Sequence, residues 1–208
     1  MNATRRLDGN GVELVRERAL AKRVQGGLER VYGLERVADV GDFLHGAEAG
    51  EREALLLREA DGGDLEVTLR LPQLEEGDAG LDALCQIIEG VSHFVYVVER
   101  ARTNRETTQL ELELQAEVDK WVVLGASIRA FDAVRSAALR AQLYERVVFE
   151  HEGELGERYR LANDAANRFV RRLEREYVDR ERYGDLRAEL RRFFQVGQEE
   201  KLRLGRAA

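Results

Sequence analysis

One proline, one cysteine, one tryptophan and three histidines stand in a chain of 208 residues. Proline lacks a backbone N–H and breaks helices, so a lone Pro72 leaves room for long helices and argues against a proline-rich linker. A single Cys85 closes no internal disulfide and builds no cysteine zinc cluster. Inside an apolar run it reads as a small buried hydrophobe, and nothing requires an oxidising compartment. Residues 1–10 contain no apolar core of a secretory signal. The longest apolar tract carries Glu89 and His93 and falls short of the ~20 residues that a membrane span needs. The expectation is a cytoplasmic protein with no membrane association. Gly62-Gly63 lacks the Lys-Ser/Thr of a phosphate loop, and there is no Gly-x-Ser-x-Gly elbow. No solenoid period or low-complexity stretch occurs.

What the chain does contain is charge: 35% of residues are Asp, Glu, Lys or Arg, beside an ordinary hydrophobic fraction of 44%. Residues 1–127 hold 15 Lys and Arg against 25 Asp and Glu, whereas residues 128–208 hold 18 against 15. The acidic part can attract the basic part within or between chains. A net charge of −7 does not favour nucleic acid for the whole molecule.

The spacing predicts a first helix over 11–32, weakened at Gly26-Gly27 and capped by Gly33. Residues 37–44 are a short apolar stretch, strand or ordered loop. Residues 54–60 and 65–71 read as strands joined by the turn Asp61-Gly62-Gly63-Asp64. A lone hairpin is marginal, so either a third strand, from 37–43, or packing on the central helix is expected. Residues 81–99 are apolar on nearly all sides and predict a central helix ending near Arg102. Thr108-Gln109-Leu110-Glu111 is a capping box that opens the next helix, giving an αα-hairpin. Further helices are expected over 127–151 and 153–179. The latter carries a seam from Leu155 to Tyr177 at alternating spacings of four and three. A turn at Tyr183-Gly184-Asp185, a last helix through Phe193-Phe194 and a short tail at 202–204 complete the chain.

The fold class is thus mainly α (α+β), a helical bundle with a small antiparallel β hairpin or meander near the N-terminus. It reads as a single domain, 1–208, with sub-lobes at 1–126 and 127–208 as a finer division. The expected core includes Leu84, Ile88, Val91, Val95, Leu114, Trp121, Phe131, Leu143, Phe169 and Phe194.

A polar stripe interrupts the central helix: Gln86, Glu89, His93 and Tyr96, three or four residues apart. Glu106, Glu113 and Glu117, with Lys120 beyond, share one face of the following helix. In an antiparallel hairpin the two faces meet. Two carboxylates and a histidine in a bundle interior can hold a divalent metal or tune an acid and a base. Against this, di-iron bundles use Glu-x-x-His twice, and here Glu-x-x-x-His occurs once. The simpler alternative is that Glu89, His93 and Tyr96 satisfy one another. Ser92-His93 point ~100° apart on a helix and form no nucleophile–base pair. His151-Glu152 lacks the second histidine of a zinc-protease helix. No catalytic residue and no cofactor is assigned.

The leading expectation is a non-enzymatic protein-interaction or assembly subunit with a protein partner or a homo-oligomeric state. It rests on the 155–177 seam, the charge asymmetry and the pair Phe193-Phe194. The alternative is a metal- or small-ligand-binding helical domain centred on Glu89, His93, Tyr96, Glu113 and Glu117. A weaker alternative is nucleic-acid binding through Arg158, Arg168, Arg171, Arg172 and Arg175. Interleaved acids there favour a salt-bridged surface.

Overall fold

A computed structural model describes residues 14–48, 51–59, 65–74, 80–146 and 153–206. Among them are seven α-helices and a three-stranded mixed sheet near the N-terminus. The first helix, α1 (Val15–Tyr32), buries Ala21, Val24, Leu28 and Tyr32. It runs unbroken through Gly26-Gly27 because tertiary packing outweighs their low helix propensity. Gly33 ends it at φ 70°, a left-handed cap whose N–H bonds to the Glu29 carbonyl.

A 3₁₀ turn, Val40–Asp42, leads into β1 (Leu44–Gly46). The third strand therefore begins just beyond the expected 37–43. β2 (Ala54–Glu59) and β3 (Leu65–Leu71) pair antiparallel, and β1 pairs parallel with β3 on its other edge. The sheet is mixed in the order β1-β3-β2, not an antiparallel meander. Alternation of apolar residues fixes which face is buried but carries no information about strand direction. The expected turn at 61–64 lies outside the described residues.

The central helix, α2 (Leu81–Arg102), and α3 (Gln109–Ser127) form the expected hairpin. Thr108 caps α3 by accepting from the Glu111 N–H. β3 packs on α2 at Gly90, where a Cβ would lie 2.9 Å from the Leu69 and 3.0 Å from the Leu71 side chain. With α2 covered by α1, α3 and the sheet, its all-round apolar character is explained. α2, 22 residues long, contains an 18-residue window of mean hydropathy 1.4, long and apolar enough to cross a membrane, unlike the shorter tract read from sequence, but 61% of that window is buried inside the fold.

α4 (Ala133–Arg140) continues into a π-helical turn, Ala141–Glu145. α5 (Gly153–Leu173) packs on α3 and likewise ends in a π-helical turn, Glu174–Val178. The reversal expected at 183–185 occurs earlier, at 179–182, with Glu181 at φ 55°. Tyr183, Gly184 and Asp185 instead start α6 (Tyr183–Gln195). The short tail is a helix, α7 (Gln198–Arg206), seated on α5 where Gly205 faces the Ala165 carbonyl. One hydrophobic cluster extends from α1 to α7. It includes the expected Ile88, Val91, Val95, Leu114, Trp121, Leu143, Phe169 and Phe194, while Leu84 and Phe131 are half-buried.

Candidate metal centre

The hairpin resolves the polar stripe of α2 into two clusters, because α3 presents two rows of polar side chains. Glu113, Glu117 and Lys120 form one row, and Glu111, Gln115 and Asp119 form the other.

The second row meets Ser92, Tyr96 and Arg100 of α2. Asp119 accepts from Ser92 at 2.6 Å, from Gln115 at 2.9 Å and from Tyr32 of α1. Tyr96 and Arg100 both donate to Glu111. Lys201 of α7, fully buried, donates to Gln115 Oε1 at 2.5 Å and to the Phe193 carbonyl at 2.8 Å. Tyr96 therefore lies in this network and not beside Glu89. Glu111 completes only half of the capping box, since its carboxylate turns inward to Tyr96 and Arg100. The network, in which only Arg100 Nε among the enclosed side-chain atoms lacks a partner, ties α1, α2, α3 and α7 together.

The first row meets Glu89 and His93. Oxygen or nitrogen donors of Glu89, His93 and Glu113 all lie within 4.8 Å of one another. Nε2 of His93 stands 3.8 Å from Oε2 of Glu113, too far for a hydrogen bond. This Nε2 is enclosed and has no hydrogen-bond partner. Oε2 of Glu53, from the segment leading into β2, is likewise enclosed without one. The Leu112 backbone opposes burial by favouring the protonated imidazole. Lys120 donates to Glu89 Oε2 at 2.7 Å and to Glu117 Oε1 at 2.9 Å.

Electrostatics separates these carboxyls. Burial pushes Glu89 up, but the Lys120 ammonium outweighs it and holds the group at about 2. Burial, reinforced by the Glu89 charge, pushes both Glu53 and Glu113 up to about 8. Burial also raises Glu117 despite Lys120. Lys120 is raised well above its ordinary value, since Glu117 and Glu89 overcome desolvation. His93 is lowered, chiefly by burial. A neutral imidazole beside carboxyl groups is a donor set for a cation. Ligand atoms around one transition ion sit roughly 3–4.4 Å apart, so the observed spread needs only side-chain adjustment.

The remaining sites expected from sequence disperse. Phe193 and Phe194 are 0% and 4% exposed and pack in the core on Phe169 and Tyr32. Arg172 is buried between Glu176 and Glu189, Arg171 pairs with Glu145, and Arg168 donates to the Gly205 carbonyl. Arg175 is exposed, and Arg158 sends its charge toward Glu113. Arg168, Arg171 and Arg175 are exposed at spacings of three and four, whereas Arg172 is buried. Glu106 is exposed in the connection before α3. A small open cleft between α1 and α2, lined by Gln25, Glu29, Phe94 and Val98 among others, contains neither cluster.

Glu53, Gln115, Asp119 and Lys201 escape sequence reasoning. Glu111, Gln115 and Asp119, spaced by four beside the Glu113–Glu117–Lys120 row, were the available signal; Glu53 and Lys201 had none. No protein-family model, curated protein or solved structure matches the chain.

Proposed function

We propose that this protein binds a divalent transition-metal ion between α2 and α3, with Glu89, His93 and Glu113 as ligands and Glu53 as a fourth donor. The observation that carries this reading is the enclosed, unpartnered Nε2 of His93, 3.8 Å from Glu113, in a set whose donor atoms with Glu89 lie within 4.8 Å of one another across two helices. A buried polar atom without a partner is costly, and coordination supplies one. One imidazole with carboxylates suits Zn²⁺, Fe²⁺ or Mn²⁺ better than the all-oxygen preference of Ca²⁺. We place the protein in the cytoplasm on the ground that a single cysteine needs no oxidising compartment.

Untagged protein is stripped with a chelator and titrated with Zn²⁺, Mn²⁺ and Co²⁺ by calorimetry, with elemental analysis of the protein as purified. One equivalent of metal is expected for one of these ions. His93→Ala and Glu113→Gln should each weaken binding by about 100-fold or more. Absence of stoichiometric metal, with melting temperatures unmoved by added ions, would sink the reading.

A further inference from the structure

Lys120 has an unusual position relative to this donor set. Its side chain is 11% exposed, and its Nζ lies 2.7 Å from Glu89 and 2.9 Å from Glu117. Glu89 is thus shared: it accepts from the ammonium and also contributes one of the three candidate ligand atoms. A carboxylate shared between two cations is how dinuclear metal centres in helical bundles are built, with their ions ~3.5–4 Å apart. Here the position between Glu89 and Glu117 is held by an ammonium fixed to α3.

Resting on the metal-binding reading, we propose that Lys120 is the second cation of the centre, built into the chain, and that it limits the site to one metal ion. Charge balance supports this. The carboxylates of Glu53, Glu89, Glu113 and Glu117 carry four negative charges in their ionised forms. Lys120, one divalent ion, Arg158, whose charge reaches Glu113, and the exposed Arg52, 4.0 Å from Glu53, carry five positive ones. A second divalent ion would raise the excess from one positive charge to three, which a low-dielectric interior disfavours. Glu117, claimed by Lys120, is then a positioning residue for the ammonium and not a metal ligand.

The test is Mn²⁺ stoichiometry on stripped full-length protein by calorimetry, with electron paramagnetic resonance to distinguish isolated from coupled ions. Wild type is expected to take one equivalent with an uncoupled six-line spectrum. Lys120→Gln should take two and show a coupled signal, while Lys120→Arg should stay at one. Two equivalents on wild type would overturn the inference. So would a folded Lys120→Gln that stays at one. In that case wild type still binds one ion and the metal-binding reading survives. No binding by wild type would remove both.

Discussion

Four glutamates within one buried cluster differ by their neighbours alone. Glu89 faces the Lys120 ammonium and sits at about 2, whereas Glu53 and Glu113, buried beside the Glu89 charge, sit at about 8. The same competition governs Asp119 in the second cluster. Three donors stabilise its carboxylate, yet burial wins and raises it to about 6. A carboxyl raised above its unfolded value of 3.8 binds its proton more tightly in the folded chain. Its contribution to stability is full below 3.8 and is lost as pH rises through 6. The stability of wild type relative to Asp119→Asn should therefore fall between pH 4 and pH 6.5, by up to ~3 kcal/mol. Urea denaturation of both proteins in chelator at several pH values checks this. A constant difference would contradict it.

Between elements, two glycines of helices have opposite roles. Gly27 of α1 has open space where a Cβ would go. Gly27→Ala should stabilise by ~0.5–1 kcal/mol through helix propensity. Gly90 of α2 lies against Leu69 and Leu71 of β3, both fully buried. Gly90→Ala gains the same propensity but forces two core side chains aside, at ~1–3 kcal/mol. Thermal melts should place Gly27→Ala above wild type and Gly90→Ala below it. A stabilised Gly90→Ala would show that the sheet yields without cost. The local signals at element ends were legible: the left-handed Gly33 cap, the Thr108 cap and the start of α2 all act within a few residues. The π-helical turns after α4 and α5 were not. Their extra residue per turn is set by neighbours such as Glu174, which receives Ser136 and Arg140 across the interior.

The whole molecule is closed by its last helix. Lys201 reaches from α7 into the second cluster, with its ammonium 4.1 Å from the centre of the Phe193 ring. Burial drives its proton affinity well below the ordinary lysine value. Lys201→Ala leaves Gln115 Oε1 and the Phe193 carbonyl without their donor and opens a cavity. It should cost ~2–4 kcal/mol and speed hydrogen exchange in both α7 and α3. Exchange that rises in α7 alone would mean the lysine anchors only its own helix. The two halves of the chain also meet inside the molecule through neutral carbonyl acceptors, Arg191 donating to that of Val31 and Arg100 to that of Val196. The 155–177 seam also packs inward, through Ala162, Ala166, Phe169 and Leu173. Phe193, Phe194 and most of the seam are thus used within the chain, while Leu155 at its start is 38% exposed.

Periodicity and capping determine the helices of this protein, the hairpin α2–α3 and the meeting of Glu89 and His93 with Glu113, because each depends on spacings of three or four residues and one short connection. Only the tertiary structure decides that Tyr96 joins Lys201 instead of His93, that Glu53 completes the acidic cluster, that β1 runs parallel to β3 and that Phe193 and Phe194 are interior. Those outcomes depend on contacts between segments tens of residues apart. They are set by which faces of the helices the assembled core brings together, a quantity that no local spacing carries.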